Sequence, residues 1–113
     1  MKKRVLIVED EGLIAMLLEE LMGRMGYEVV AISATLEEAL ERARIVSVDF
    51  AMLDINLNGK ESLPVAAVLR GRGIPFLFAT GYGDSASAGE FADVLVIEKP
   101  FSRDALRVAL DKL

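Results

Sequence analysis

The chain reads as an α/β protein, a doubly wound five-stranded parallel sheet with helices on both faces. Three observations lead there. Short aliphatic runs recur along the 113 residues, rich in the β-branched side chains of strands buried on both faces. Between them stand stretches with the i, i+3, i+4 spacing of amphipathic helices. The two patterns alternate with short connections, which favours parallel strands joined by right-handed crossovers. No linker, low-complexity tract or internal repeat interrupts the alternation, so residues 1–113 are expected to form one domain.

Val5-Leu6-Ile7-Val8 is the first strand, ended by Glu9-Asp10-Glu11-Gly12. The first helix carries Leu13, Ile14, Leu17, Leu18, Leu21, Met22 and Met25 on one stripe, assigned to the core, and Gly26 is its natural C-terminal stop. A second strand runs from about Glu28 to Ile32. Thr35 and Glu38 form a capping box ahead of a helix with Leu36, Ala39, Leu40 and Ala43 inward. The third strand, Phe50 to Leu53, delivers Asp54 at its end. Ser62 and Pro64 mark a third helix, because proline is tolerated in a first turn. It buries Val65, Val68 and Leu69 and closes at Gly71 to Gly73. Pro75 to Ala79 is the fourth strand. From Asp84 to Gly89 the helical pattern is weak, so a fourth helix there is expected to be short or mobile. Val94 to Ile97 is the fifth strand. Ser102 caps a last helix with Ala105, Leu106, Ala109, Leu110 and Leu113 on one stripe.

Composition narrows the function. A chain 53% hydrophobic and 27% charged is a globular protein rather than a disordered one. The net charge of −5 argues against a nucleic-acid surface. Absence of cysteine removes disulfides and thiolate metal sites, and absence of histidine removes the usual general base and the commonest zinc ligand. The basic start Met1-Lys2-Lys3-Arg4 precedes an apolar run too short for a signal peptide, and no stretch is long enough for a membrane span. A cytoplasmic protein is expected.

Chemistry-bearing residues gather where strands end: Glu9 and Asp10 after the first, Asp54 after the third, Thr80 after the fourth, Lys99 after the fifth. In an open α/β sheet these carboxyl ends are where ligands bind. Each residue alone has an ordinary reading. Asp54 serves as a turn residue, the acids favour a helix dipole, Thr80 is a turn hydroxyl, Lys99 is a solvated charge, and Pro100 stops a strand. Together they form a different set. Three carboxylates at one edge repel, and a divalent cation is the ordinary remedy. Oxygen-only ligation suits magnesium. A lysine and a hydroxyl can stabilise a phosphoryl group, and an aspartate beside the metal can attack phosphorus in line to give an aspartyl phosphate.

With those residues in place, the chain resembles a bacterial response-regulator receiver domain over essentially its whole length. That family carries an acidic pair after the first strand, a phosphoacceptor aspartate after the third, Ser or Thr after the fourth and Lys-Pro after the fifth. The matching residues are Glu9-Asp10, Asp54, Thr80 and Lys99-Pro100. The resemblance implies the flavodoxin-like receiver fold with strand order 2-1-3-4-5. It implies that Asp54 takes a phosphoryl group from a histidine kinase or histidine phosphotransfer protein. It further implies Mg2+ held by Asp10 directly, by Glu9 through water, by Asp54, and by the backbone carbonyl of Asn56. Lys99 would pair with phosphoryl oxygens, Thr80 would follow them on activation, and an unidentified downstream protein would read the result. Phe78-Ala79-Thr80-Gly81-Tyr82 looks like the Phe-Ala-Thr-Gly-Tyr subgroup, often stand-alone receivers linked to bacterial stress signalling. The family's aromatic switch position, three before the lysine, holds Val96 here, and Tyr82 is the expected substitute in output. The segment from Gly83 to Gly89 would be the mobile element. Such a protein is a signalling module with self-catalysed phosphotransfer and dephosphorylation, monomeric or dimerising on phosphorylation. Three alternatives stay open: a phosphate sink or shuttle without conformational output, a receiver cut from a longer protein, and a magnesium-dependent aspartyl-phosphate phosphatase of another α/β fold. The phosphatase is disfavoured because Asn56 stands where a second aspartate would serve as acid. A nucleotide-binding Rossmann domain is disfavoured because no G-x-G-x-x-G follows the first strand.

Overall fold

The computed structural model describes residues 2–81, 91–99 and 102–113. In chain order the elements are β1 (Arg4–Val8), α1 (Gly12–Arg24), β2 (Glu28–Ser33), α2 (Leu36–Ile45), β3 (Phe50–Asp54), β4 (Asn56–Leu57), β5 (Lys60–Glu61), α3 (Leu63–Gly71), β6 (Phe76–Thr80), β7 (Val96–Glu98) and α4 (Arg103–Asp111). Five strands form one parallel sheet in the order β2-β1-β3-β6-β7, which is the expected 2-1-3-4-5 once the small β4–β5 hairpin is set aside.

Period-two alternation divides each central strand between two cores. Val5, Ile7, Met52 and Leu77 face the layer of α1 and α4, where Leu18, Met22, Leu106 and Leu110 meet them. Leu6, Val8, Leu53 and Phe78 face α2 and α3, against Ala39, Ala43, Val65 and Leu69. Helix ends follow local chemistry. The Thr35 hydroxyl accepts from the Glu38 N–H at 3.2 Å, and the Ser102 hydroxyl accepts from the Ala105 N–H at 3.0 Å. Gly26, two residues past the end of α1, has φ of +89°, a left-handed conformation that glycine adopts without strain. No helix among the described residues is long and apolar enough to cross a membrane.

The structure corrects several expectations. Leu13 and Leu17 are 84% and 52% exposed, not core. The seven-residue apolar stripe of α1 spans roughly half the helix circumference at 100° per residue. The sheet covers only the side carrying Ala15, Leu18 and Met22. Ala105 is likewise exposed, and α4 buries Leu106, Ala109 and Leu110. The last strand begins at Val96 rather than Val94, because Val94 closes a turn on the Phe91 carbonyl at 3.0 Å. Proline lacks the N–H a ladder needs, so Pro75 stands outside β6, which instead runs on to include Thr80. The β4–β5 hairpin was not expected, nor was burial of Phe91, whose ring lies edge-on against Phe76 and Phe78. The weak helix expected from Asp84 to Gly89 lies outside the described residues.

Candidate functional site

The carboxyl ends of β1, β3, β6 and β7 converge because the sheet is parallel and those strands are neighbours. Glu9 follows β1 directly, and its N–H donates to the Ser33 carbonyl at 3.0 Å, which extends the ladder to β2. Its side chain is buried, and its Oε2 accepts from the Glu11 N–H at 3.2 Å. Asp54 is the last residue of β3 and is also buried. Its Oδ1 accepts from the Asn56 N–H at 3.3 Å. Lys99 follows β7, and its N–H donates to the Thr80 carbonyl at 2.7 Å, which carries the β6–β7 pairing to the site's edge.

Lys99 reaches inward from there. Its Nζ lies 2.6 Å from Glu9 Oε1 and 3.1 Å from Asp54 Oδ2, with only 13% of the side chain exposed. Carboxylate oxygens of Glu9, Asp10 and Asp54 all lie within 4.8 Å of one another. One ammonium therefore contacts two carboxyl groups of a cluster of three. Burial pushes Asp54 up to about 7, the Glu9 carboxylate adds to the rise, and Lys99 pulls the other way. Burial by itself would lower Lys99, but the Glu9 hydrogen bond and the two negative neighbours outweigh it and hold Lys99 above its ordinary value. The Thr80 hydroxyl is buried with no hydrogen-bond partner among the described residues. Such a group carries a desolvation cost that a ligand oxygen could relieve.

Of the residues expected at the site, Glu9, Asp10, Asp54 and Lys99 are assembled, and Thr80 borders them. Asn56 is adjacent through its N–H, while its side-chain oxygen turns away to accept from the Gly59 N–H at 2.7 Å. Tyr82 and Pro100 lie outside the described residues. Sequence reasoning missed Asn58, whose N–H donates to Asp10 Oδ2 at 3.0 Å. The signal was present: Asn-Gly is the strongest short-range hairpin dipeptide, since both residues tolerate positive φ. Asn58 and Gly59 have φ of +53° and +85°. An oxygen-only donor set beside a lysine and an unpartnered hydroxyl can hold a hard divalent cation and an oxyanion together.

Comparison with known proteins agrees with this geometry. The chain belongs to the response regulator receiver domain family, whose model matches residues 5–111. It is a receiver domain of the kind found in two-component systems. The solution structure of SdrG from Sphingomonas melonis Fr1 is 42% identical and superposes with a TM-score of 0.87, covering 97% of this chain and 94% of that one. The BeF3-activated conformation of SdrG from Pseudomonas melonis Fr1, also 42% identical, gives a TM-score of 0.79 over 96% of this chain and 92% of that one. The transcriptional regulatory protein PdtaR of Mycobacterium tuberculosis is 29% identical over 96% of this chain and 55% of its own length. The chain thus spans about half the length of the curated relatives it matches.

Proposed function

We propose that this domain carries a phosphoryl group on Asp54, taken from the phosphohistidine of a histidine kinase or phosphotransfer protein. The observation that supports this most is the buried Asp54 carboxylate sharing one lysine with Glu9 at the sheet edge. Burial and a like charge raise the energy of the Asp54 anion, which favours its attack on an electrophile. An Asp54 oxygen forms the new bond to phosphorus while the phosphorus–nitrogen bond of the donor breaks, the electron pair leaving with the imidazole. Lys99, already held near Asp54, neutralises a phosphoryl oxygen. The Thr80 hydroxyl donates to another and moves toward it, which makes Thr80 the switch residue. Hydrolysis reverses the gain: a water oxygen bonds phosphorus and Asp54 leaves as carboxylate.

The donor chemistry fits Mg2+, with Glu9, Asp10, Asp54 and the Asn56 carbonyl as the residues that would hold it. When bound, the cation supplies charge neutralisation for the phosphoryl oxygens. BeF3 activation of the SdrG relative is consistent with a phosphoryl-binding edge of this kind. Output through Tyr82 is part of the same reading, since Val96 leaves β7 without an aromatic switch.

The test is incubation with Mg2+ and acetyl phosphate, followed by intact mass, beside Asp54→Ala. A magnesium-dependent gain of one hydroxylamine-labile phosphoryl group, absent in the variant, is expected. No gain from acetyl phosphate or from a phosphorylated histidine donor would overturn the reading.

A further inference from the structure

We propose that Asn58 is a positioning residue for Asp10, its backbone N–H holding the carboxylate in the orientation that a divalent cation needs. The inference rests on the cation site proposed above and concerns a residue outside the donor set.

Asp10 is half-buried, in the bend directly after the fixed Glu9. The hydrogen bond from the Asn58 N–H to Oδ2, 3.0 Å long, comes from 48 residues away. A carboxylate accepts on two oxygens. Anchoring one of them to a rigid donor fixes the plane of the group and leaves the other free of protein donors among the described residues.

The donor is itself held from two sides, while the solvent-exposed pair of Lys60 with Glu37 across the turn, at 2.8 Å, adds little. Leu57, next to it in β4, is buried in the core shared with α2 and α3. Inside the turn, the Asn56 side chain accepts the Gly59 N–H at 2.7 Å. The geometry depends on backbone that only a few residues adopt. Asn58 has φ of +53°, a left-handed value that asparagine visits more readily than other residues with a Cβ. The hairpin therefore works as an outer shell to the acidic cluster. Outer-shell donors of this kind typically change metal affinity about 10- to 100-fold when removed.

The experiment measures Mg2+ affinity by calorimetry, with Mg2+ as the only ligand, and stability by urea unfolding of the same samples. Asn58→Gly keeps the N–H and the positive φ and should bind within about twofold of the unmodified chain. Asn58→Pro removes the N–H but fixes φ near −65°, so it also disturbs the turn. An amide-to-ester replacement at residue 58, made by semisynthesis, removes the N–H alone. Both are expected to weaken Mg2+ about tenfold. Unchanged affinity in the ester, whatever its stability, overturns the proposal. Equal weakening in Asn58→Gly also overturns it, because the side chain rather than the N–H would then be responsible. Failure of the unmodified chain to bind Mg2+ would overturn the cation site as well, which separates the two claims.

Discussion

The two edges of this sheet carry similar charges and put them to different uses. At the amino edge, where β1 and β2 begin, Arg4 faces Glu28 at 3.4 Å. Its Nε donates to the Ser47 carbonyl at 2.8 Å, and its N–H donates to Asp49 Oδ2 at 2.7 Å. The Arg4 and Glu28 side chains are 42% and 53% exposed, so water screens the pair. At the carboxyl edge of the same sheet, Lys99, Glu9 and Asp54 make a comparable cluster with 13% or less of each side chain exposed. The chemistry of the side chains is alike, and burial separates them. An exposed cluster ties strands together at little gain. In a buried one, burial itself and then the neighbouring Glu9 charge raise Asp54 to about 7.

Removing the cation from each edge should separate the two most widely. Lys99→Met leaves Glu9 and Asp54 buried without a counter-charge, and losing one partner of a buried pair costs about 3–5 kcal/mol. That cost depends on pH, and its sign follows from Asp54. In the folded chain Asp54 holds its proton up to about 7, whereas the unfolded chain releases it near 3.8. Between those values the folded state binds more protons, so stability falls as pH rises from about 4 to about 7. Without Lys99 the loss is larger, because Asp54 ionises beside an uncompensated Glu9. Urea unfolding in chelator should show the full cost at pH 8 and a smaller one at pH 5. A cost independent of pH would mean that the charges at this edge do not drive it.

Much of this difference was legible in the chain, and the missing parts share a cause. Strand ends could be read because short apolar runs such as Val5 to Val8 and Phe50 to Leu53, bounded by polar turn residues, have the length and flanks of buried strands. Their carboxyl ends therefore collected Glu9, Asp54, Thr80 and Lys99 in advance. What could not be read was which partner Lys99 would meet: it lies closer to Glu9, 90 residues away, than to Asp54. Periodicity also failed to say which part of the α1 stripe faces the sheet, hence Leu13 and Leu17 on the surface. Phe91 stood alone among small and polar residues, with no pattern to mark it as core. Arg72 donates to the carbonyls of Ala43 and Val46, both at 2.8 Å, and so ties the end of α3 to the end of α2. Each of these depends on distant chain segments meeting. The Asn58 turn differs, because its Asn-Gly signal was local.

A buried hydroxyl extends the comparison within the carboxyl edge. Thr80 is 2% exposed, and its Oγ1 has no partner among the described residues. Thr80→Val keeps the branched shape and removes the unsatisfied group, whose burial costs about 1–3 kcal/mol. The variant should be more stable by about 1 kcal/mol in urea, and it should show a weaker response to beryllofluoride with Mg2+ in its amide shifts. A loss of stability would mean that the hydroxyl already has a partner and is not held in reserve.

The smallest effect belongs to the other edge, and it makes the sharpest control. Arg4→Ala removes one solvent-screened ion pair and one hydrogen bond to a carbonyl. Exposed pairs of this type contribute about 0–1 kcal/mol. The backbone N–H that donates to Asp49 survives the substitution, as does the donation of the Asp49 N–H to the Arg4 carbonyl at 2.8 Å. Strand entry into the sheet is therefore retained, and unfolding in urea should shift by about 1 kcal/mol or less. Added salt should shrink even that difference, since exposed charges are screened over about 10 Å at 0.1 M. The Lys99→Met cost, arising behind protein rather than in water, should resist the same salt. If the two variants respond to salt alike, burial is not what distinguishes the edges, and the raised Asp54 needs another cause.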